Sequence, residues 1–485
     1  MRKALDMHNK THVILTALCL ILCLCALLPH LLTSDTSSTV YPLGQDPAYY
    51  NAYVQQFDAF MKGQIYLDVE PSQELQNLEN PYDWQQRIDG DIGFYLWDRA
   101  LYNGHYYSYF GIAPIITVFY PSYFLTGSIP SPSVTCAVLA VVGMISVCFA
   151  LIELLKYFKI KPPFYLFLLS LFAVELGSLL PMLMSSADMY YIAATSAVAY
   201  FALFLALFFG GMNRKRGVPQ NICFAFCSIA FVLVVMSRPG LALLGLLIVP
   251  ALVRYFFRSK STLKSKIISF ICFAVPLIIG AAAVCAYNYF RFDSILEFGA
   301  KYQLTVYDVS KYAFSLSLIF PCIFHYFLQP PVINNAFPFI NLKYVNLQMH
   351  TTPYLYNTST LGAFSFASNW GILLFPTILT KQKKCCEQKI TYLLAFLSVF
   401  ILAYFNICMG GVNIRYFADF ALVMILFSSL ILLELPSLFE SRGRDYKIIV
   451  QTVISILFIL SAALGFLLIF ENERNYIIIS LCKAQ

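Results

Sequence analysis

Residues 44–71 read GQDPAYYNAYVQQFDAFMKGQIYLDVEP and residues 80–114 read NPYDWQQRIDGDIGFYLWDRALYNGHYYSYFGIAP. Both belong to a polar insertion, 33–131, that interrupts an otherwise apolar chain. After Asp46, the residues Tyr49, Tyr53, Phe57 and Phe60 recur at helical spacing, so the insertion has structure of its own. A connection this long and this ordered is usually functional rather than a mere link. The fold follows from what surrounds it.

The chain has 485 residues, 59% of them hydrophobic and only 12% charged. Soluble domains carry about 25% charged residues, so this composition defines an integral membrane protein. The net charge of +7 does not form a basic face. Its lysines and arginines stand in short clusters between apolar runs, which is how topology signals look, and a nucleic-acid partner is thereby excluded. Of the 14 cysteines, Cys19, Cys23, Cys25, Cys136 and Cys148 lie inside apolar runs, where cysteine behaves as a small hydrophobe. Cys385 and Cys386 stand in a basic loop without partner ligands, and neither a metal spacing nor a disulfide framework is present.

His12–Leu32 is an apolar run of spanning length that follows Arg2, Lys3 and Lys10. No small-residue cleavage pattern follows it, which predicts a retained anchor with a cytoplasmic N-terminus. Five later basic clusters should also be cytoplasmic: Lys156/Lys159/Lys161, Arg214–Arg216, Arg258–Lys266, Lys381–Lys389 and Arg442–Lys447. Spans near 132–155, 163–183, 189–210, 220–237, 240–257, 266–286, 361–379, 390–409, 417–436 and 448–470 satisfy all five. The expectation is an all-α polytopic protein of about eleven transmembrane helices, forming one unit over 1–485 with no separate soluble domain. The stretches 33–131 and 287–360 become its two long outer loops. YFGIAPIITVFYPSYFL at 109–125 and YAFSLSLIFPCIFHYFL at 312–328 are short, aromatic and broken by proline. They read as interfacial or re-entrant helices; counting both as spans gives thirteen.

The unusual polar residues then gather on the outer face. Asp46 leaves the first span early and precedes an aromatic helix, a position suited to a base acting on a lipid-borne substrate, or simply to an N-cap before Pro47. Asp89-Gly-Asp91 is a D-x-D that could hold a divalent metal ion, the one cofactor the sequence suggests, or could be a solvated turn. Asp98 and Arg99 lie among aromatics as an ion pair or part of a sugar-stacking belt. Asp188 opens a span in LMSSADMYY, and charges at such places mark function. Arg238 in SRPG, Arg291 and Lys301 in YNYFRFDSILEFGAKYQL, and Arg415 in GGVNIRYFADF are outer-face cations suited to a phosphate or pyrophosphate. Their alternative is to snorkel and pair with Asp293, Glu297 or Asp419.

One span, a long outer loop with an early acid and interfacial helices, then a hydrophobic bundle: this order resembles the GT-C glycosyltransferases, such as the protein O-mannosyltransferases and the aminoarabinose transferase of lipid A. Asp46 matches that class's first-loop acid, and Asp188 the acid at the outer end of the next outward span. NGHYYSYFGIAPIITVFYPSYFLTG resembles the interfacial K-P-P-L-Y-Y-W segment, but lacks its phosphate-binding lysine and has His105 and Tyr107 nearby. YLWDRALYNGHYYSYFG, SRPG, YNYFRFDSILEFGAKYQL and RYFADF resemble a bacterial branch of the class. The resemblance implies a hexosyltransferase-type enzyme of the cell membrane, moving a sugar from a polyprenyl-phosphate lipid to an extracytoplasmic glycan, lipid or protein. Asp46 and Asp188 would be catalytic, and His105, Tyr107, Arg238, Arg291, Lys301 and Arg415 would bind substrate and phosphate.

A lipid-linked oligosaccharide flippase or polymerase-like protein is the alternative, and a polytopic scaffold without catalysis is a third. A flippase would place its cations along a midplane path, whereas Glu175 is the clearest intramembrane charge. The topology makes a direct prediction. Cysteines introduced at Ser128 and Asn334 should react with impermeant thiol reagents from outside, and a cytoplasmic location for either one would overturn the map.

Overall fold

The computed structural model describes residues 4–215, 217–258, 262–306, 308–311, 314–341, 343–345, 358–360, 369–371, 373–376, 386–439 and 443–471. Among these, ten helices are long and apolar enough to cross a membrane. They are α1 (Lys10–Thr33), α2 (Pro132–Tyr157), α3 (Phe164–Ser185), α4 (Met189–Asn213), α5 (Val218–Ser237), α6 (Pro239–Arg258), α7 (Leu263–Phe292), α8 (Cys386–Gly410), α9 (Ile414–Leu438) and α10 (Arg444–Leu468). Each coincides with an expected span. The eleventh, 361–379, lies largely outside the described residues.

Polar side chains start these helices where the chain enters the apolar layer. Asn9, Ser131, Asp188, Thr262 and Asn413 each accept a backbone N–H of the first turn, and proline follows Ser131 at the position where no donor is needed. With no water inside a bilayer, the helix interior must satisfy its own backbone, so the polar caps fall at the ends. The centre of the bundle is α9, with 94% of its apolar window buried, against 17% for the peripheral α7. Small residues permit close packing: a Cβ added to Gly143 of α2 would lie 3.0 Å from Ala199 of α4.

The N-terminus and described residues beside the turns after α2, α4 and α6 come together at one end. Leu5 N–H bonds to Pro162 O, Asn213 to Glu153, and Arg254 pairs with Glu387 at 2.9 Å beside Tyr157. The long loops leave from the opposite end. There the two aromatic stretches form Ile115–Thr126 and Leu316–Leu328, too short to span. Leu125 (85%), Leu316 (80%) and Phe320 (71%) are exposed, as apolar side chains at a membrane interface would be.

The first long loop is a folded lobe. Its helix Ala52–Met61 is buried along most of its length, and Thr39–Val40 pairs with Ser128–Ile129 to join the loop's entry and exit. A hairpin, Ala100–Tyr102 with His105–Tyr107, stands over a small core of Leu67, Leu75, Leu96, Leu101, Tyr106 and Leu304. Leu304 belongs to the second long loop: its N–H bonds to Arg99 O at 2.8 Å, and it accepts from Asp98 N at 3.0 Å. The buried Arg87 donates to Pro81 O and Thr305 O and lies over Tyr95. The two loops are therefore one structure.

Gly111 brings the lobe onto the bundle. A Cβ there would sit 2.1 Å from Met236 O and 2.4 Å from Ser237 O, which are backbone atoms that cannot turn aside. We predict that Gly111→Ala costs about 1–3 kcal/mol, the usual penalty for overpacking, and exposes 63–107 to limited proteolysis. An unchanged unfolding midpoint and cleavage pattern in detergent would refute this docking.

Candidate functional site

Where the lobe meets the ends of α4, α5 and α9, three arginines collect. Arg238, just past α5, pairs with Asp419 of α9 at 2.7 Å and donates to Arg415 O at 3.3 Å. Asn406 holds the other Asp419 oxygen at 3.0 Å. The Arg415 guanidinium lies over the rings of Tyr190 (4.7 Å) and Tyr416 (5.1 Å), and its Nε is buried without a partner. Arg99 comes from the lobe and is 4% exposed. It donates to Gln55 Oε1 at 2.8 Å and Trp97 O at 3.0 Å, and burial draws its pKa below the ordinary arginine value. Among the described residues, neither Arg99 nor Arg415 has a carboxylate within ion-pair distance.

Asp98 turns away from its neighbour Arg99. Its backbone is in the left-handed region (φ 53°), and its carboxylate accepts from the Tyr190 hydroxyl and from Gln303 Nε2 at 2.9 Å. Three segments thus converge on one carboxylate: the lobe, α4 and the second loop. Tyr109 is close enough to feel the charges of Asp98 and Arg415, and burial pushes its hydroxyl well above the usual tyrosine range.

Beside this cluster lies a cavity of about 320 Å³ lined by Thr33, Ser34, Asp35, Pro132, Ser133, Ser185 and Ala187. Small-molecule pockets run from about 300 to 1,000 Å³, so one sugar ring is a fitting occupant. Four hydroxyls and one carboxylate line it, and no cation does. The hydroxyl and backbone N–H of Ser37 hold the exposed Asp35 below the usual carboxylate range. Asp188 follows Ala187 directly and caps α4, accepting from Tyr190 N at 2.8 Å and Tyr191 N at 3.2 Å. The cavity and the arginine cluster are joined by the few residues from Ala187 to Tyr191.

The residues singled out in the sequence fall in different places. Arg238, Arg415 and Asp188 come together here. Asp46 is exposed and caps the short turn Pro47–Tyr49, accepting from Ala48 N at 2.9 Å. It reaches the cluster only through Pro47 O, which accepts from the same Gln55 that holds Arg99. Arg291 is buried, bonded to Ser108 O and Asn288 and stacked on Tyr287, and faces a separate cavity of about 30 Å³. Lys301 pairs with Glu297 at 3.3 Å. His105 stacks on Tyr66, and Tyr107 packs on Phe292, both in the hairpin. Asp89 accepts from Gln85, and Asp91 is exposed in the following turn. Among the described residues no three His, Cys, Asp or Glu side chains stand together as metal ligands.

The residues that sequence reading passed over are Asp35, Asp98 as Tyr190's partner, and Gln303. Asp35 had a signal, being the first acid after the first span. Gln303 and the turned carboxylate of Asp98 had none, since they depend on a long-range contact.

No protein family model matches the chain, and no curated protein matches it. Solved structures do. The apo oligosaccharyltransferase of Archaeoglobus fulgidus is 12% identical over 93% of this chain and 56% of its own, with a TM-score of 0.47. The same organism's AglB in complex with an inhibitory peptide and a dolichol-phosphate is 13% identical over 94% and 56%, at 0.48. ArnT from Cupriavidus metallidurans bound to undecaprenyl phosphate is 11% identical over 96% and 77%, at 0.45. These are membrane glycosyltransferases of the class the sequence resembles. This chain spans a little over half the length of the archaeal enzyme. At such identities and TM-scores the likeness assigns no residue role or substrate here.

The cap geometry of Asp46 makes a stability prediction. Asp46→Ala should lower stability by about 0.5–2 kcal/mol, while Asp46→Asn, which can still accept from Ala48 N–H, should stay near wild type. Thermal unfolding of the two purified variants checks this, and equal midpoints would deny the cap any weight.

Proposed function

We propose that this protein is a membrane glycosyltransferase that moves a sugar from a polyprenyl-phosphate carrier to an acceptor on the outer face of the cell membrane, with its N-terminus in the cytoplasm and the whole chain forming one transmembrane unit. The observation that carries this reading is the pair of guanidiniums, Arg99 and Arg415, sunk at the loop end of an apolar bundle without carboxylate partners. Such cations are costly unless an anion completes them. A phosphate reaching the site sideways from the bilayer would do so, and Arg238 and the aromatic rings would frame it.

The chemistry follows from placing the sugar in the hydroxyl-lined cavity. The acceptor hydroxyl attacks the anomeric carbon while a carboxylate takes its proton. The bond from that carbon to the phosphate oxygen breaks, and the arginines stabilise the charge gathering on the departing lipid phosphate. Inversion needs only the one base. Three carboxylates are available at this face: Asp35, Asp188 and Asp46. Asp35 ranks first because it lines the cavity. All three accept backbone N–H bonds, Asp35 from Ser37, Asp46 from Ala48 and Asp188 from Tyr190 and Tyr191, so the cavity wall is what separates them. Arg291 and Lys301 lie outside the cluster and would meet the carrier only further along its path. The transport alternative draws on Glu175, which is fully buried with both oxygens unpartnered. Its neighbourhood is the thiols of Cys19, Cys23 and Cys148 rather than a polar path, so the transferase reading is preferred.

The test has two parts. Mass spectrometry of envelope glycans and lipids from a deletion strain identifies the missing sugar. Purified protein is then assayed with that sugar on a polyprenyl phosphate. Asp35→Asn should fold normally and transfer about a hundredfold more slowly, within the range a general base supplies. Arg415→Ala should lose lipid binding as well. Unchanged envelope sugars, or full turnover in Arg415→Ala, would defeat the proposal; full turnover in Asp35→Asn alone would pass the base role to Asp188 or Asp46.

A further inference from the structure

We infer that the cavity beside Arg291 is a chloride site, and that the ion held there clamps the lobe against α5 and α7. The inference does not depend on what the arginine cluster binds.

The lobe gives residues 109–112 to this cavity, the end of α5 gives Val235 and Met236, and α7 gives Tyr287 and Arg291. Arg291 is only 4% exposed. Its terminal nitrogens donate to Ser108 O at 2.7 Å and Asn288 Oδ1 at 2.8 Å, while its Nε is buried without a partner. Tyr287 lies one helical turn earlier on the same face, and the guanidinium carbon stands 3.9 Å from its ring centre. The Tyr287 hydroxyl is likewise buried and unpartnered. Two unsatisfied donors thus belong to side chains that border one cavity.

Arg291 also carries a charge that its neighbours do not meet. Among the described residues no carboxylate lies within ion-pair distance of it. The acids that follow it in the chain are committed elsewhere. Glu297 pairs with Lys301 at 3.3 Å and accepts from Gly299 N at 2.7 Å. Asp293 accepts from the Tyr102 hydroxyl at 3.1 Å and Asn103 Nδ2 at 3.4 Å. The rings of Tyr287 and Phe292 attract the cation but leave its net charge uncancelled. Water would satisfy the two donors and not the charge, and a buried cation without an anion is costly.

Size and lining select the anion. A volume of about 30 Å³ is more than the roughly 10–15 Å³ that one water needs, and about a tenth of the hydroxyl-lined cavity. A phosphate or carboxylate would turn some of its oxygens toward Phe110, Ile112, Val235 and Met236, and a buried oxygen without a donor is penalised. A monatomic anion has no such oxygens, so two donors and apolar contacts suit it, and chloride is the common ion of that kind. Gly111, packed at backbone distance on Met236 and Ser237, borders the same cavity. An ion there strengthens the joint between lobe and bundle.

The experiment exchanges full-length protein in detergent between sodium chloride, sodium bromide and sodium gluconate at constant ionic strength. Wild type should unfold about 2 °C or more higher in either halide than in gluconate, as expected of a ligand that binds only the folded state. In crystals, bromide should give an anomalous scattering peak beside Arg291. Tyr287→Phe should fold, since the hydroxyl it loses makes no bond in the protein. It should need about tenfold more chloride for the same shift, the weight of one hydrogen bond to a charged group. Arg291→Gln should lose the halide dependence. Equal midpoints in the three salts, no bromide at the cavity, or undiminished chloride dependence in either folded variant overturns the inference. So does stabilisation by phosphatidylglycerol in gluconate that chloride does not reproduce, which would make the occupant a lipid headgroup.

Discussion

A bilayer offers no water to a stray polar group, and this constraint arranges the whole molecule. Helices are long and apolar because only a helix satisfies its own backbone there. Their caps and charges are pushed to the two ends. What distinguishes the ends is that one carries short basic turns and the other two long loops, so any site for polar chemistry must be assembled at the loop end.

That assembly depends on burial of charge. Arg238 and Asp419 alone would be an ordinary ion pair between α5 and α9. The lobe changes the situation by bringing in Arg99 on one side and the turned carboxylate of Asp98 on the other, while Tyr190 and Tyr416 take the Arg415 guanidinium between them. Each of these groups would be solvated if the lobe were absent. Covered by it, they lose water and gain strength, since electrostatic interactions deepen as the local dielectric falls. The same covering leaves Arg99 and Arg415, at the ends of the helices, without carboxylates, which an apolar core tolerates poorly and an anionic lipid would relieve.

The lobe is held by contacts of a different kind. Its small apolar core borrows Leu304 from the second loop, Arg87 ties it to Thr305 O, and Asp308 accepts from Asn80 at 2.9 Å. Gly111 lets it approach the end of α5 at backbone distance. The two long loops are therefore one cover, and their joint placement over α4, α5 and α9 brings distant residues into one cluster.

The sequence by itself determined the membrane character, the positions of the ten described spans and the short length of the two aromatic helices, because hydropathy and basic clusters act locally and survive without any tertiary contact. It also marked Arg238, Arg415 and Asp188 as charges in unusual places. Only the tertiary structure decided which of the marked residues meet. Asp46 and Asp35 each accept a backbone N–H two residues on, yet only Asp35 stands at the wall of the cavity between α1, α2 and the turn from α3 to α4. Asp98 and Arg99 are adjacent in sequence but face different partners, since a left-handed residue turns one side chain toward Tyr190 and leaves the other to Gln55. Which way a side chain points in a folded loop is set by what packs on it from elsewhere in the chain, and that information is not local.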